Sequence, residues 1–414
     1  MGLLLSCLQT HKKSFTTKGK SRRKSPGRRK FIELRTLPHE ESFDIPGDIL
    51  VEILPRLPVK SLLKFRCVSK SWLCLISCPQ FIKTHSRVSM ENSKWSGHRV
   101  IFACSYPQYG LKQYSVHSLL REQSLTDAFH IYYPIKYAPN HAWLGSSNGL
   151  ICIFEDVKDL ILWNPSTRKS KKLPRIGTNL KIYRHIVAYG FGFDEYKDDY
   201  NVVLIVRLFE EERGYKYSLR TDSWKRVGDL EDTGIALSNS INFASGKIHW
   251  STSPETSSGF MWEIICLDLE SGVCGRLDQP DYGGSDIALT LGMLGGCLCI
   301  LCYEIDTHVD VWVLKEYGVK GSWTKLFRFP CIHRGGRLVF LKPLCMLPNG
   351  EILLIFGTSL VLCNPAYGSF RVREATNFDM VEIYVETLVS PAVLNEECID
   401  ISLERELCDK LENM

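Results

Sequence analysis

The sequence predicts a small all-α module of three helices followed by an all-β domain, a β-propeller of about six blades. Three observations predict this: apolar residues at helical spacing near residue 50, short apolar runs alternating with glycine-containing turns over 98–391, and recurrence of those turns about every 48 residues. The chain divides into a basic tail (1–36), the helical segment (40–86), the repeat region (98–391) and an acidic C-terminal segment (392–414).

Three apolar groups predict the three helices. They are separated by short breaks at residues 57–59 and 66–67. Pro55 falls inside the first predicted helix, where a proline removes a backbone hydrogen bond and is expected to kink the helix. Three helices within about 35 residues bury little apolar surface, so we expect a partner to cover part of it. The groups are Ile49, Leu50, Ile53, Leu54 and Leu57; Leu62, Leu63 and Phe65; and Val68, Trp72, Leu75 and Ile76.

Two different elements recur in one register through the repeat region. Turns containing glycine precede strands at positions 148, 245, 295 and 349, with gaps of about 97, 50 and 54 residues. A strand that ends in a polar turn recurs around Asn164, Arg220, Asp268, Lys315 and Asn364, at spacings of about 56, 48, 47 and 49 residues, with a further instance near His117. This period suits a four-stranded, kelch-like blade. An irregular pair of β-sandwiches is the alternative.

A closed ring makes a prediction about the chain ends. The last strand of a propeller completes a blade begun near its first strand, so residues 381–389 are expected to pair near the blade that contains residues 99–105. Radial closure also protects sheet edges that would otherwise aggregate.

Several motifs resemble those of one plant protein family. Residues 45–85 resemble an F-box, especially LPVKSLLKFRCVSKSW at 57–72. YGFGFDEYKDDYNVV (189–203), YSLRTDSWKRV (217–227), GKIHW (246–250), LGGCLCIL (294–301), DVWVLKEYGVKGSWTKLF (310–327), PLCMLPNGEILL (343–354) and YVETLVSP (384–391) resemble, in order, the F-box-associated domain of plant F-box/kelch-repeat proteins. The resemblance covers most of residues 45–391.

The resemblance implies a non-catalytic substrate receptor of a Skp–cullin–F-box ubiquitin ligase. The F-box would bind a Skp-type adaptor and, through it, a cullin-RING ligase, while the propeller would capture a protein for degradation. The rim of the adaptor face would carry Lys60 and Arg66. The face itself would include Ile45, Pro46, Ile49, Ile53, Leu57, Pro58, Val59, Leu62, Leu63, Val68 and Trp72.

No residue pattern predicts a catalytic, metal or cofactor site. The 16 cysteines are scattered through apolar runs, and the Cys299–Cys302 CxxC has no second pair at zinc spacing. The 11 histidines are dispersed, and His249 is expected to pack or hydrogen-bond within a strand. The acidic pair Asp198-Asp199 is expected on a solvated turn. Tryptophans that recur about once per unit predict blade packing at positions 224, 250, 312 and 323.

The basic charge is confined to the N-terminal tail. Residues 1–30 contain ten Lys or Arg and no acid, so the net charge of +5 becomes about −5 once the tail is excluded, and no nucleic-acid surface is expected elsewhere. The tail suits a nuclear localisation signal or, alternatively, a transit peptide. Gly2 with Ser6 also fits the N-myristoylation pattern, and Cys7 is positioned for palmitoylation. We expect a protein of cytoplasm and nucleus, with plasma-membrane association as the alternative.

The alternatives to a receptor belong to two other functional classes. A kelch-type enzyme such as a copper oxidase needs a secretory signal and clustered Tyr, His and Cys ligands, and the sequence shows neither. A protein-binding scaffold that acts outside the ligase is the second alternative, and Pro55 in the F-box favours it.

Overall fold

A computed structural model describes residues 47–91 and 97–392, except for connecting segments of the second range. In neither range is any helix long and apolar enough to cross a bilayer. The segments outside the description are 105–109, 122–128, 131–141, 156–158, 177–185, 209–210, 231–238, 253–254, 257–258, 261, 283–286, 305–306, 335–336, 339, 348, 358, 374–377 and 379.

The N-terminal part is a module of short helices. Helices α1 (Gly47–Ile53), α2 (Val59–Phe65) and α3 (Lys70–Ser77) confirm the three predicted helices, and α4 (Pro79–Glu91) adds a fourth. The backbone N–H of Trp72 donates to the Ser69 side chain, which therefore caps α3. The interruption expected at Pro55 is confirmed, because α1 gives way there to a 3₁₀ turn, Leu54–Arg56. We call residues 47–91 the helical module.

The remainder is a six-bladed β-propeller, as predicted, each blade a four-stranded antiparallel sheet. Blade 3 has a fifth, two-residue strand that pairs in parallel with its innermost long strand. Short hairpins accompany blades 4 and 5, and helix α5 (Val116–Arg121) and a 3₁₀ turn (Lys320–Ser322) lie between strands of blades 1 and 5. The strands, from the propeller axis outward, are β29 (Met380–Val385), β1 (His98–Cys104), β2 (Gly110–Ser115) and β3 (Phe129–His130) in blade 1; β4 (Ala142–Ser147), β5 (Leu150–Glu155), β6 (Asp159–Asn164) and β7 (Lys169–Lys172) in blade 2; β8 (Ile186–Asp194), β9 (Asp199–Leu208), β10 (Glu211–Ser218) and β11 (Ser223–Leu230), with β12 (Asn239–Ser240), in blade 3; β13 (Asn242–Ala244), β14 (Lys247–Thr252), β17 (Glu263–Asp268) and β18 (Cys274–Leu277), with β15 (Glu255–Thr256) and β16 (Gly259–Phe260), in blade 4; β19 (Ile287–Leu294), β20 (Cys297–Glu304), β21 (His308–Leu314) and β22 (Trp323–Pro330), with β23 (His333–Arg334) and β24 (Arg337–Leu338), in blade 5; β25 (Lys342–Met346), β26 (Ile352–Phe356), β27 (Ser359–Asn364) and β28 (Ser369–Arg373) in blade 6.

The two sequence repeats are turns at one end of the blades, except that blade 1 has no turn between its first two strands, β29 and β1. The glycine turns at 148, 245, 295 and 349 join the first and second strands, and the polar turns join the third and fourth. The doubled gap of 97 residues arises because blade 3 uses the glycine-free turn 195–198, in which Asp198 adopts a φ of 51°. Each expected unit therefore corresponds to one blade.

The ring is closed by the last strand of the chain. Strand β29 pairs antiparallel with β1, with Arg99 opposite Tyr384 and Ala103 opposite Met380. The predicted pairing is confirmed for residues 381–385, whereas residues 386–389 continue beyond the strand.

Apolar clusters fill all six interfaces between adjacent blades. Successive residues of a middle strand contribute to opposite interfaces, because side chains alternate across a strand. In β20, Cys299 and Leu301 pack toward blade 6, whereas Ile300 and Cys302 pack toward blade 4. Both sides of the strand are covered, which explains its unbroken apolar sequence.

Several of the motifs that resemble the plant family contain residues that make contacts between blades. In YGFGF, a Cβ on Gly192 would lie 2.2 Å from the ring of Phe243 on the next inner strand, so only glycine permits this approach. In GKIHW, His249 Nε2 lies 2.7 Å from the hydroxyl of Tyr317, the tyrosine of DVWVLKEYG. The expected hydrogen-bonding role of His249 is confirmed.

The outer-strand tryptophans make a repeated contact. Trp224 Nε1 donates to the Pro174 carbonyl at 2.6 Å, and Trp323 Nε1 donates to the Asp278 carbonyl at 2.8 Å. In both cases the acceptor follows the outer strand of the preceding blade. The packing role predicted for these residues is confirmed, with Trp250 almost fully buried.

Candidate protein-interaction surfaces

The two ends of the propeller carry different connections. We call the end with the repeated turns the turn face; most of its connections are short, such as 148–149, 195–198 and 365–368, and the connection that contains α5 is longer. The opposite end, the loop face, carries connections whose described parts include 173–176, 278–282 and 331–334. Binding residues concentrate in loops that a rigid scaffold displays, so the two faces differ in how much the sequence and length of their connections can vary.

The helical module lies on the turn face. Its apolar cluster contains Leu54, Leu62 and Phe81, together with Leu388, which follows the closing strand of the propeller. Lys83 Nζ also lies 3.0 Å from the Asp198 carboxylate, in the inner turn of blade 3. That pair is exposed and contributes little free energy, but it shows which blade α4 approaches.

The module leaves apolar side chains in solvent. Ile49 is 46 % exposed and Ile53 38 %, both on α1, while Val68 is 41 % and Leu73 44 % exposed near the start of α3. Leu73 was not among the residues predicted for the adaptor face. Its position beside Trp72 in a short apolar helix is the feature that could have identified it. These four residues, with Met90 of α4 at 38 %, make the module a candidate interaction surface.

The structure places two residues of the predicted adaptor face in the core of the module. Val59 and Leu62 are 2 % and 0 % exposed, so they pack beneath the exposed residues. Arg66 was expected at the rim, but its guanidinium donates to the Ile76 carbonyl at 3.2 Å, which ties α2 to α3, and partial burial lowers its pKa.

The other predicted face residues have different environments. Leu57, Leu63 and Trp72 are half-buried against the module core, whereas Pro58 and Lys60 are exposed. Trp72 packs edge-to-face on Phe65 at a centroid distance of 5.4 Å. Outside the described residues lie Ile45, Pro46, Gly2 and Cys7.

On the loop face, aromatic side chains border the described connections of blades 4 and 5. Phe340 is 54 % exposed and packs edge-to-face on Tyr303, whose hydroxyl accepts the Leu341 N–H at 2.6 Å. Nearby, Gln279 bridges the Trp262 carbonyl and the Tyr282 hydroxyl. These bonds hold aromatic residues in fixed positions at the base of the loops.

The CxxC cysteines lie within a blade, and Asp199 of the acidic pair has a structural role. Cys299 and Cys302 lie on opposite sides of β20, so they cannot bind one metal ion, and burial raises the pKa of Cys302 to about 12. Within the described residues, no three His, Cys, Asp or Glu converge on a metal position. The solvated turn expected at Asp198-Asp199 is wrong for Asp199, which is buried and accepts from Ser218 Oγ and the Arg220 N–H.

Comparisons with known proteins agree with this architecture. Residues 98–384 match the model of the F-box associated beta propeller domain, and residues 42–84 match the F-box domain. The chain belongs to the plant F-box proteins with an F-box-associated domain. Such proteins generally act as substrate receptors of Skp–cullin–F-box ligases.

Two relatives from Arabidopsis thaliana illustrate the similarity. An F-box/kelch-repeat protein is 31 % identical, over 84 % of this chain and 96 % of its own. The F-box protein CPR1 is 30 % identical, over 83 % of this chain and 88 % of its own. Among solved structures, TolB from Acinetobacter baumannii covers 70 % of this chain and 66 % of its own at 13 % identity, with a TM-score of 0.42.

Proposed function

We propose that this chain is a substrate receptor of a Skp–cullin–F-box ubiquitin ligase, with no catalytic step of its own. The observation that carries the proposal is an F-box module with exposed apolar residues, seated on the turn face of a propeller whose loop face lies at the other end. Membership of the family supports the same conclusion.

The adaptor-binding surface is assigned to the exposed apolar residues of α1 and α3. Ile49 and Ile53 are four residues apart on α1 and therefore share one side of the helix. Because Val51 and Leu54 of the same segment are buried, the exposed pair is backed by packed residues. A rigid apolar surface loses little side-chain entropy on binding, which favours affinity.

The substrate is proposed to be a protein that binds the loop face. That face lies at the opposite end of the blades from the helical module, so the adaptor and the substrate do not compete for the same surface. Blade architecture does not disclose which protein binds, because loops vary independently of the strands that carry them.

A labelling experiment in plant cells tests this assignment. Proximity labelling under proteasome inhibition should recover the adaptor and cullin with the intact chain but not with an Ile49→Asp, Ile53→Asp variant. Candidate substrates should remain labelled by both forms and should accumulate when the variant replaces the intact chain. Recovery of the same partners, with no change in their abundance, would instead identify a scaffold outside the ligase.

We propose a cytoplasmic and nuclear location, supported by the ten basic residues of the tail. Neutralising Arg22, Arg23, Arg28 and Arg29 should move a C-terminally tagged protein out of the nucleus. Release of membrane-bound protein by Gly2→Ala would instead establish N-terminal acylation.

A further inference from the structure

The apolar core of the helical module is completed by a residue from the other end of the chain. Leu388 is 2 % exposed and belongs to the same buried cluster as Val51, Leu54 and Leu62. Val389 packs partly against that cluster and partly against the interface of blades 2 and 3. A 45-residue helical module buries little apolar surface by itself, so one added leucine is a substantial share of its core.

The segment that carries Leu388 is held by blades 1 and 2. We call residues 386–389 the C-terminal strap. Glu386 accepts two hydrogen bonds from the Arg99 guanidinium, both at 3.1 Å, and its N–H donates to the Gly97 carbonyl at 2.8 Å. Asn164 Nδ2 donates to the carbonyls of Thr387 and Val389, at 3.0 and 2.7 Å.

Close packing against blade 2 fixes the strap further. Thr387 is fully buried, and its hydroxyl lies 2.0 Å from where a Cβ on Gly149 would stand, so position 149 accepts only glycine. Gly149 also has a φ of +86°, which independently favours glycine. Since the strap continues directly from β29, it reaches this position when β29 has paired with β1 and closed the ring.

We infer that the helical module reaches its full stability only on a closed propeller, through Leu388 and the strap. Helix α1 carries the exposed Ile49 and Ile53, and its inner residues share the cluster with Leu388. The stability of the adaptor surface therefore depends on the closed propeller, and the strap fixes the position of the module on the turn face. What is inferred about the adaptor surface rests on the proposed function. The coupling between the helical module and the closed propeller does not.

Hydrogen exchange of the full-length chain tests the coupling without any partner. In Leu388→Ala, protected amides of α1 to α4 should exchange at least about 30-fold faster than in the wild type, the equivalent of the smallest cost usual for such a truncation. Exchange in the propeller strands should not change. Leu360→Ala is the matched control, because Leu360 is equally buried but packs between blades 6 and 1.

The control should accelerate exchange in the propeller and leave the helical module unchanged. Unchanged exchange of the module in Leu388→Ala would overturn the inference, and so would equal acceleration of the module in both variants.

Adaptor titration separates this inference from the proposed function. Leu388→Ala should weaken adaptor binding by the factor by which it lowers the folded fraction of the module, whereas Ile53→Asp should weaken binding directly, without altering exchange of the module. If the wild type binds no adaptor, the proposed function fails while the exchange data still decide the coupling. Wild-type adaptor affinity in a Leu388→Ala chain whose module amides have lost their protection would refute the link to adaptor binding.

Discussion

Asn164→Ala is the substitution whose cost the structure defines most fully. The side chain is completely buried and makes four hydrogen bonds: two from Nδ2 to the strap, and two accepted by Oδ1 from the N–H groups of Ser166 and Thr167 at 2.8 and 3.2 Å. At about 1 kcal/mol per bond, the loss comes to about 4 kcal/mol. The expected result is a correspondingly lower free energy of unfolding in urea.

Asn364→Ala is the matched control. Asn364 occupies the same turn position in blade 6, accepts from the Ala366 N–H at 3.0 Å and donates to the Glu351 carboxylate at 3.5 Å, but it is half-buried and has no contact with the strap. Because the second bond is long, its loss should cost between about 1 and 2 kcal/mol. Tryptophan fluorescence during urea titration measures both variants. A cost for Asn164→Ala no larger than that for Asn364→Ala would refute the role assigned to the strap contacts.

Three further outcomes follow from the packing and protonation of the propeller. Gly192→Ala should lower the urea midpoint strongly through collision with Phe243, whereas Gly321→Ala, with no atom near the added Cβ, should leave it unchanged; equal midpoints would contradict the interblade packing. Burial lowers the pKa of His249 from 6.5 to about 4, so stability should fall as the pH drops from 6.5 toward 4, and His249→Gln should flatten that dependence in urea titrations at several pH values. Asn164→Asp retains the turn acceptor but directs a carboxylate at two carbonyl oxygens, so the pKa of the new aspartate in the folded protein should exceed about 3.9. The loss in the free energy of unfolding should therefore be smaller at low pH, and a loss that does not change with pH would contradict this reasoning.

The blades could be predicted from the sequence because their determinants are local. Turns such as Asn148-Gly149 require φ values of 43° and 86°, which asparagine and glycine tolerate, and glycine turns recur in blades 2, 4, 5 and 6. The apolar run around Cys299 is long because both of its sides are covered, so it indicated a buried strand correctly. Closure was predictable because a ring needs its last strand to complete its first blade.

The exposure of individual F-box residues could not be predicted from the sequence, because burial within short helices depends on tertiary packing. Leu62 and Ile53 are both apolar residues of the segment that resembles an F-box, yet Leu62 is 0 % exposed and Ile53 is 38 % exposed. The local pattern does not distinguish them, since the core includes Leu388 from the far end of the chain. For the same reason Leu62→Asp is a poor test of binding, because it would unfold the module, whereas Ile53→Asp changes an exposed position.

Calorimetric titration of the purified full-length chain with a Skp-type adaptor decides whether the chain is a ligase receptor. We expect saturable binding of one adaptor per chain. In the Ile49→Asp, Ile53→Asp variant, affinity should fall by at least about a hundredfold while the urea midpoint stays at the wild-type value, because both residues are exposed. Absence of binding by the wild type, or undiminished binding by the variant, would contradict the assignment of this chain as a ligase receptor.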